Sequence, residues 1–307
     1  MPHQPHFSGV LPCVTTPLST VTFEPTVARY SSVTPKPASP VRPTATLYVL
    51  PETITFTFGD ENSESFRETI TTAVQKTIQF WLEQGLVEKP DPLKVFVYED
   101  RDQLVTVSAK EFTIAFGTKH TEADMKQLWT DDTTGMSGPR IFFIYASDKR
   151  WRERSSFFRE WVVGHELTHV LQFQLMRPKA RLTEPVWLQE GFANELASRI
   201  FFDVIDSTRF ASMKTDAQRV PANITLENST TKEGLPHFLS LSRIAIYYLI
   251  AIAPNDLKSV ADYYSAQRTM SWQTAFKQTF QLSYDEFLVQ FEQFRVLNFS
   301  PWPTPLP

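Results

Sequence analysis

Cysteine is almost missing from this chain: Cys13 is the only one in 307 residues. That excludes an intrachain disulfide framework and any zinc or iron–sulfur site built from several cysteines. Excess charge of one sign is missing too, since 30 Lys and Arg face 34 Asp and Glu for a formal charge of −4. A strongly basic nucleic-acid binder is thereby excluded, and no nucleic-acid partner is expected. Long hydrophobic runs are missing as well. The longest, Ile244 to Ala253, stops at Pro254, so it reads as a buried helix and no transmembrane segment is expected. No internal repeat is visible. Glycine is scarce, with 9 residues against 22 prolines, while phenylalanine is abundant at 25. The 42% hydrophobic and 21% charged fractions are those of a globular chain able to bury a core.

Residues 1–45 hold nine of the prolines, many Thr and Ser, and few charges. Stretches such as TPKPASPVRPTAT read as an extended linker, because proline fixes φ and removes backbone donors. The tail 299–307 reads likewise. The opening MPHQPHFSGVLPC has no basic n-region and so is not a proper signal peptide. A lone Cys13 ahead of a Thr/Pro-rich tether resembles the start of a mature bacterial lipoprotein, although Pro12 fits that pattern poorly. A lipid anchor at Cys13 is one expectation and an unanchored tail the other. An extracytoplasmic or cell-surface location is favoured over a cytoplasmic one.

Between these ends, TLYVLPETITFTF alternates like a strand pair or one bent strand. From Ser63 to Gln84, Phe66, Ile70, Ala73, Val74, Thr77, Ile78 and Trp81 recur at helical spacing, with Gly85 as the stop. LKVFVY (93–98) predicts a strand, 102–110 a helix, and EFTIAF and PRIFFIYAS further strands. From Phe157 onward the pattern is helical. The expectation is an α+β part (46–176) followed by a helical part (177–298).

The chemistry concentrates in REWVVGHELTHVLQFQL (159–175). It contains His165-Glu166-Leu167-Thr168-His169. On a helix, positions i and i+4 lie about 6 Å apart along the axis and about 40° apart around it. Both imidazoles can therefore reach one ion, with Glu166 beside them and free to act as a base. Apolar neighbours Trp161, Val162, Val163, Val170 and Leu171 suit a core helix. Two histidines do not complete a zinc site. Downstream, EPVWLQEGFANELASRIFF (184–202) predicts a second helix starting near Pro185, with Glu190 on it. Gly191 and Ala193 keep one side of that helix slim, which permits close packing on the HELTH helix.

HELTH followed by VWLQEGFANELA resembles the gluzincin zinc metallopeptidases, and within them the peptidase MA-like proteins with their W-L-x-E-G-x-A motif. The resemblance spans roughly 46–297, since LSRIAIYYLIAIAPNDLKSVADYY and SWQTAFKQTFQLSYDEFLVQFEQF look like that family's closing helices. It implies a zincin-like fold and one Zn2+ per chain held by His165, His169 and Glu190. It further implies Glu166 as general base in the hydrolysis of peptide bonds in a peptide or protein substrate, with endopeptidase action favoured because no GxMEN-like exopeptidase signature is present. Asn194 or Glu195 is expected to orient a ligating imidazole, and His237, Tyr247 or Tyr248 to stabilise the oxyanion; core packing is the competing role for the tyrosines. The alternative is a catalytically silent zinc-binding interaction domain of the same fold. A third is a tethered structural or adhesion domain in which HELTH is coincidental.

Lesser signals are the basic run 149–154, which reads as a solvated loop face, and the glycosylation-type triplets at Asn223 and Asn228. PRIFFIYAS, just before the HELTH helix, is expected either as an edge strand open to an extended peptide or as a core strand.

Overall fold

The computed structural model describes residues 53–130, 133–146, 155–177, 182–202 and 206–300. The linker 1–45 with Cys13, the start of the first predicted strand, the basic run 149–154 and residues beyond 300 lie outside the described residues.

Strand β1 (Ile54–Phe58) leads into α1 (Glu64–Glu83), whose first turn is capped by Ser63, the side chain of which accepts from Phe66 N. The seven apolar-face positions read from the sequence are the seven that α1 buries. Gly85 follows with φ 63°, a left-handed conformation that costs glycine nothing. Strand β2 (Leu93–Tyr98) then pairs parallel to β1. Helix α2 runs unbroken over Arg101–Phe116, so EFTIAF is helix and not strand. Its Phe112 and Phe116 sit one turn apart with their tilted rings in contact, Thr113 Oγ1 donates to Ala109 O, and left-handed Gly117 ends the helix. The i, i+4 pair outweighs the β-branched residues that suggested a strand. Helix α3 (Glu122–Leu128) carries a Thr121–Asp124 capping box.

Two strands complete the sheet, β3 (Gly135–Gly138) and β4 (Ile141–Tyr145), in the order β1-β2-β4-β3 with only β3 antiparallel. PRIFFIYAS therefore supplies an interior strand, and the edge beside it is the short GMSG segment. Period-2 alternation in β2 and β4 feeds two cores. Val95, Val97, Phe142 and Ile144 face the larger one, while Phe96, Tyr98, Ile141 and Phe143 face α2 and α3. Both strands are buried on both faces, which explains their continuous apolar runs.

The rest is helical: α4 (Ser156–Met176), α5 (Val186–Phe201), α6 (Asp206–Gln218), a 3-10 turn (Leu235–His237) leading into α7 (Phe238–Ile252), α8 (Lys258–Ala266), α9 (Trp272–Phe280) and α10 (Tyr284–Val296). The described residues thus form a mixed α/β structure, ten helices with a four-stranded mixed sheet. The larger core runs without a break from α1 and the sheet through α4 and α5 to α10. One expectation changes. Leu235–Ile252 is long and apolar enough, by length and composition, to cross a membrane, because the 3-10 turn extends the apolar run. Within the fold that stretch is 56% buried, and Leu241, Ile244, Ala245 and Leu249 are fully so.

Candidate metal centre

Helix α4 starts at a Ser155 cap and is buried continuously from Val162 to Phe173, since β3, α1, α5 and α8 pack around it. Helix α5 has no side-chain cap; instead Gln189 Nε2 returns to Glu184 O at 2.7 Å. Trp187 anchors its start, donating from Nε1 to Tyr284 OH at 2.9 Å and stacking on Phe287. The two helices approach closely at Gly164. A Cβ there would sit 2.5 Å from the Phe201 ring and 3.5 Å from Ala197 Cα. The slim position expected to serve this contact, Gly191, serves another one: a Cβ on it would meet Ile246 Cγ1 at 2.4 Å and Ser242 O at 3.1 Å, both on α7. Glu190 and Gly191 are neighbours on a helix, so they point about 100° apart, one to α4 and the other to α7.

Facing α4 and α5 bring His165, His169 and Glu190 together, all buried. The separations are 3.2 Å between the two Nε2 atoms, 3.3 Å from His165 Nε2 to Glu190 Oε2, and 3.4 Å from His169 Nε2 to Glu190 Oε1. A tetrahedral ion with bonds of about 2.0–2.1 Å sets its ligands about 3.3–3.4 Å apart. The two imidazole nitrogens stand near that spacing, each facing a different oxygen of Glu190, and one donor atom from each of the three residues lies within 4.8 Å of the others. Two imidazoles and one carboxylate suit zinc and other transition metals better than calcium or magnesium, which prefer all-oxygen shells. The residues thus fit one divalent ion, and the three described donors stop one short of a closed four-ligand structural site.

Hydrogen bonding assigns the His169 tautomer. Gln172 lies one turn on, with Oε1 2.8 Å from His169 Nδ1, and its Nε2 lies 3.0 Å from Gln189 O and 2.8 Å from Tyr264 OH. A backbone carbonyl only accepts, so the amide nitrogen must face Gln189 and the amide oxygen must face the ring. His169 therefore carries a proton on Nδ1 and can present the Nε2 lone pair to the ion. Burial alone would lower the His169 pKa, but Glu190 pushes it up to about 9 in the metal-free chain. Burial likewise raises Glu190, and the two histidines outweigh it, holding that carboxyl well below the usual range.

Glu166 leaves α4 toward the edge strand. Ser137 Oγ lies 2.5 Å from its Oε2 and 2.9 Å from its backbone O. Its other oxygen, Oε1, is buried without a hydrogen-bond partner among the described residues, an expensive arrangement unless something else occupies it. Burial pushes this carboxyl up, against the pull of His165, His169 and Ser137. Gly135 makes the room: a Cβ there would lie 2.6 Å from the Glu166 carboxyl carbon.

Asn194 Nδ2 donates to the backbone O of Glu190, and Glu195 accepts from Arg199 Nε. Neither orients an imidazole: His169 Nδ1 is held by Gln172, and His165 Nδ1 has no partner among the described residues. Tyr248 packs among Phe287, Phe291 and Phe294, the core role weighed for it, and Tyr247 stacks on Phe210 of α6. His237 is half-buried in the turn before α7. Sequence reasoning missed Gln172, Ser137 and Gly135. Spacing of i, i+3 from His169 is a signal for Gln172; none exists for the other two, which reach the site from another element. No protein-family model matches the chain, and a search of curated proteins finds no match either.

Proposed function

We propose that the chain is a zinc-dependent metallopeptidase of gluzincin type, a hydrolase whose His165, His169 and Glu190 hold one Zn2+ and whose Glu166 is the general base. The observation that carries the reading is the buried His165, His169 and Glu190 cluster, with one donor atom of each within 4.8 Å of the others, beside a buried carboxylate with one unpartnered oxygen. A zinc ion held by these three residues would supply a Lewis acid and would lower the pKa of a water bound to it from 15.7 towards about 7. Glu166 Oε1 accepts the proton of the attacking water and returns it to the departing amine. Ser137 holds the opposite carboxylate oxygen, so the free one keeps its aim through both transfers. Burial raises the basicity of Glu166, and the two imidazoles moderate it.

A catalytically silent zinc-binding domain of the same architecture is the second reading. It draws on how completely the described residues cover the centre: His165 and Glu166 are each 1% exposed.

Elemental analysis of the full chain and Glu166→Gln separate the readings. About one zinc per chain is expected in both proteins. Cleavage of unfolded substrates should fall by about 10²–10⁴ in the mutant. Zinc at full occupancy without cleavage by the wild type favours the silent domain. Unchanged turnover in Glu166→Gln refutes the mechanism.

A further inference from the structure

His169 is unusual among the metal-site side chains in having a side-chain polar chain built behind it. Gln172, 1% exposed, uses its oxygen and both amide hydrogens: the oxygen accepts from His169 Nδ1, and the hydrogens go to Gln189 O and Tyr264 OH. Gln189 is the residue before Glu190, so this one side chain touches the ring of one ligand and the backbone beside another. The line continues. Tyr264, which accepts from Gln172 Nε2, belongs to α8. Glu184 accepts from Thr183 N with one carboxylate oxygen and from Gln189 Nε2 with its backbone O. Helix α4, helix α8 and the segment entering α5 are thus joined by buried polar contacts that meet at His169. His165 offers the contrast, because its Nδ1 has no such partner among the described residues.

We propose that Gln172, held by Tyr264 OH and the Gln189 carbonyl, is the positioning residue of the metal centre: it fixes the His169 tautomer and ties the ring to the entrance of α5, so that Nε2 meets the ion without reorganisation. This rests on the metal-site reading above. Outer partners of ligating histidines commonly govern metal affinity by about 10–100-fold. An amide oxygen, a weaker acceptor than a carboxylate, suffices here because Gln189 O and Tyr264 OH lock its orientation.

The test is a zinc titration of the full-length chain against a chromophoric chelator, for the wild type, Gln172→Leu, Gln172→Glu and Tyr264→Phe. Gln172→Leu should bind zinc about 10–100-fold more weakly. Gln172→Glu keeps an acceptor for Nδ1–H but sets its second oxygen against the Gln189 carbonyl, so it should recover only part of that loss, a partial rescue that a merely space-filling role would not allow. Tyr264→Phe, which removes one hydroxyl, should lose affinity in the same direction but less. In the zinc-loaded wild type, NMR should show the His169 ring proton on Nδ1, shifted downfield by its hydrogen bond, and Tyr264→Phe should weaken that shift. Wild-type affinity in Gln172→Leu overturns the proposal while leaving the metal site standing. Should that variant not fold, wild-type affinity together with an unmoved Nδ1 proton in Tyr264→Phe overturns it instead. Absence of zinc from the wild type itself is a different result, and overturns the metal-site reading.

Discussion

At the scale of single residues, the candidate site depends on what a neighbour lacks as much as on what it carries. Gly135 has no Cβ, and Glu166 fills the space a Cβ would take. Gly135→Ala should push the Glu166 carboxylate aside and reduce turnover nearly as far as Glu166→Gln, with zinc retained and about 1–3 kcal/mol of stability lost to overpacking. Metal analysis, turnover and a denaturant melt would check all three. Ser137 acts through electrostatics. Its hydroxyl lowers the Glu166 pKa against the upward push of burial, so Ser137→Ala should raise that pKa. The acidic limb of the pH–rate profile should then move to higher pH; a limb that stays put would mean another group titrates. These effects were only partly legible beforehand. HELTH announced its own chemistry because both imidazoles and Glu166 share one helix, whereas Gly135 and Ser137 belong to a strand whose approach to α4 no local pattern records.

At the scale of elements, α5 is held between α4 and α7, and the two faces need different clearances. Gly191 is packed against the backbone of Ser242 and the side chain of Ile246. A methyl there has backbone on one side and cannot be absorbed by a rotamer change alone. Gly191→Ala should cost about 1–3 kcal/mol and weaken zinc binding, because relief moves α5 and Glu190 with it. Equal melting curves for mutant and wild type would show that the α5–α7 contact has slack. The strands show the limits of pattern reading. β2 and α1 were legible since each carries its period within a single segment. β3 was not, because GMSG has no alternation of its own and is a strand by virtue of pairing with β4. The predicted strand EFTIAF went wrong for the complementary reason: short apolar runs fit both periods, and the helix already begun at Arg101 carries through it.

At the scale of the whole molecule, the candidate metal centre joins α4 to α5 inside one continuous core, so an ion bound there would be thermodynamically linked to the fold. Chelation should lower the melting temperature, and added zinc should restore it. The metal-free chain should also be pH-sensitive in a definite direction. His169 rises from 6.5 to about 9 in the fold, so its stabilisation is complete below about 6.5 and is lost as pH climbs through 9. Burial raises Glu184 from 4.5 to about 7, so the fold favours its protonated form and loses stability as pH rises through that interval. Glu190 is depressed, and its contribution is present above 4.5 and lost in acid. The metal-free protein should therefore melt highest near pH 5–6 and lose stability steadily toward pH 9. The zinc-loaded protein should be flatter over that range, since the ion takes the place of the His169 proton. A metal-free melting temperature that rises from pH 6 to 9 would contradict the His169–Glu190 pairing.

By itself the sequence determined the local chemistry: a core helix presenting two imidazoles and a carboxylate at one-turn spacing, a downstream helical glutamate of the right type, and the amphipathic face of α1. Each follows from the fixed pitch of a helix acting on neighbouring residues. Only the tertiary structure decided that Glu190 meets both histidines and that Gln172 orients His169. It alone decided that Asn194 bonds the backbone of Glu190 and that Glu195 accepts from Arg199, and that β3 forms the edge beside Glu166. Those outcomes depend on contacts between residues far apart in the chain, such as Gln172 with Tyr264 across 92 positions, and no helical or strand period reaches that distance.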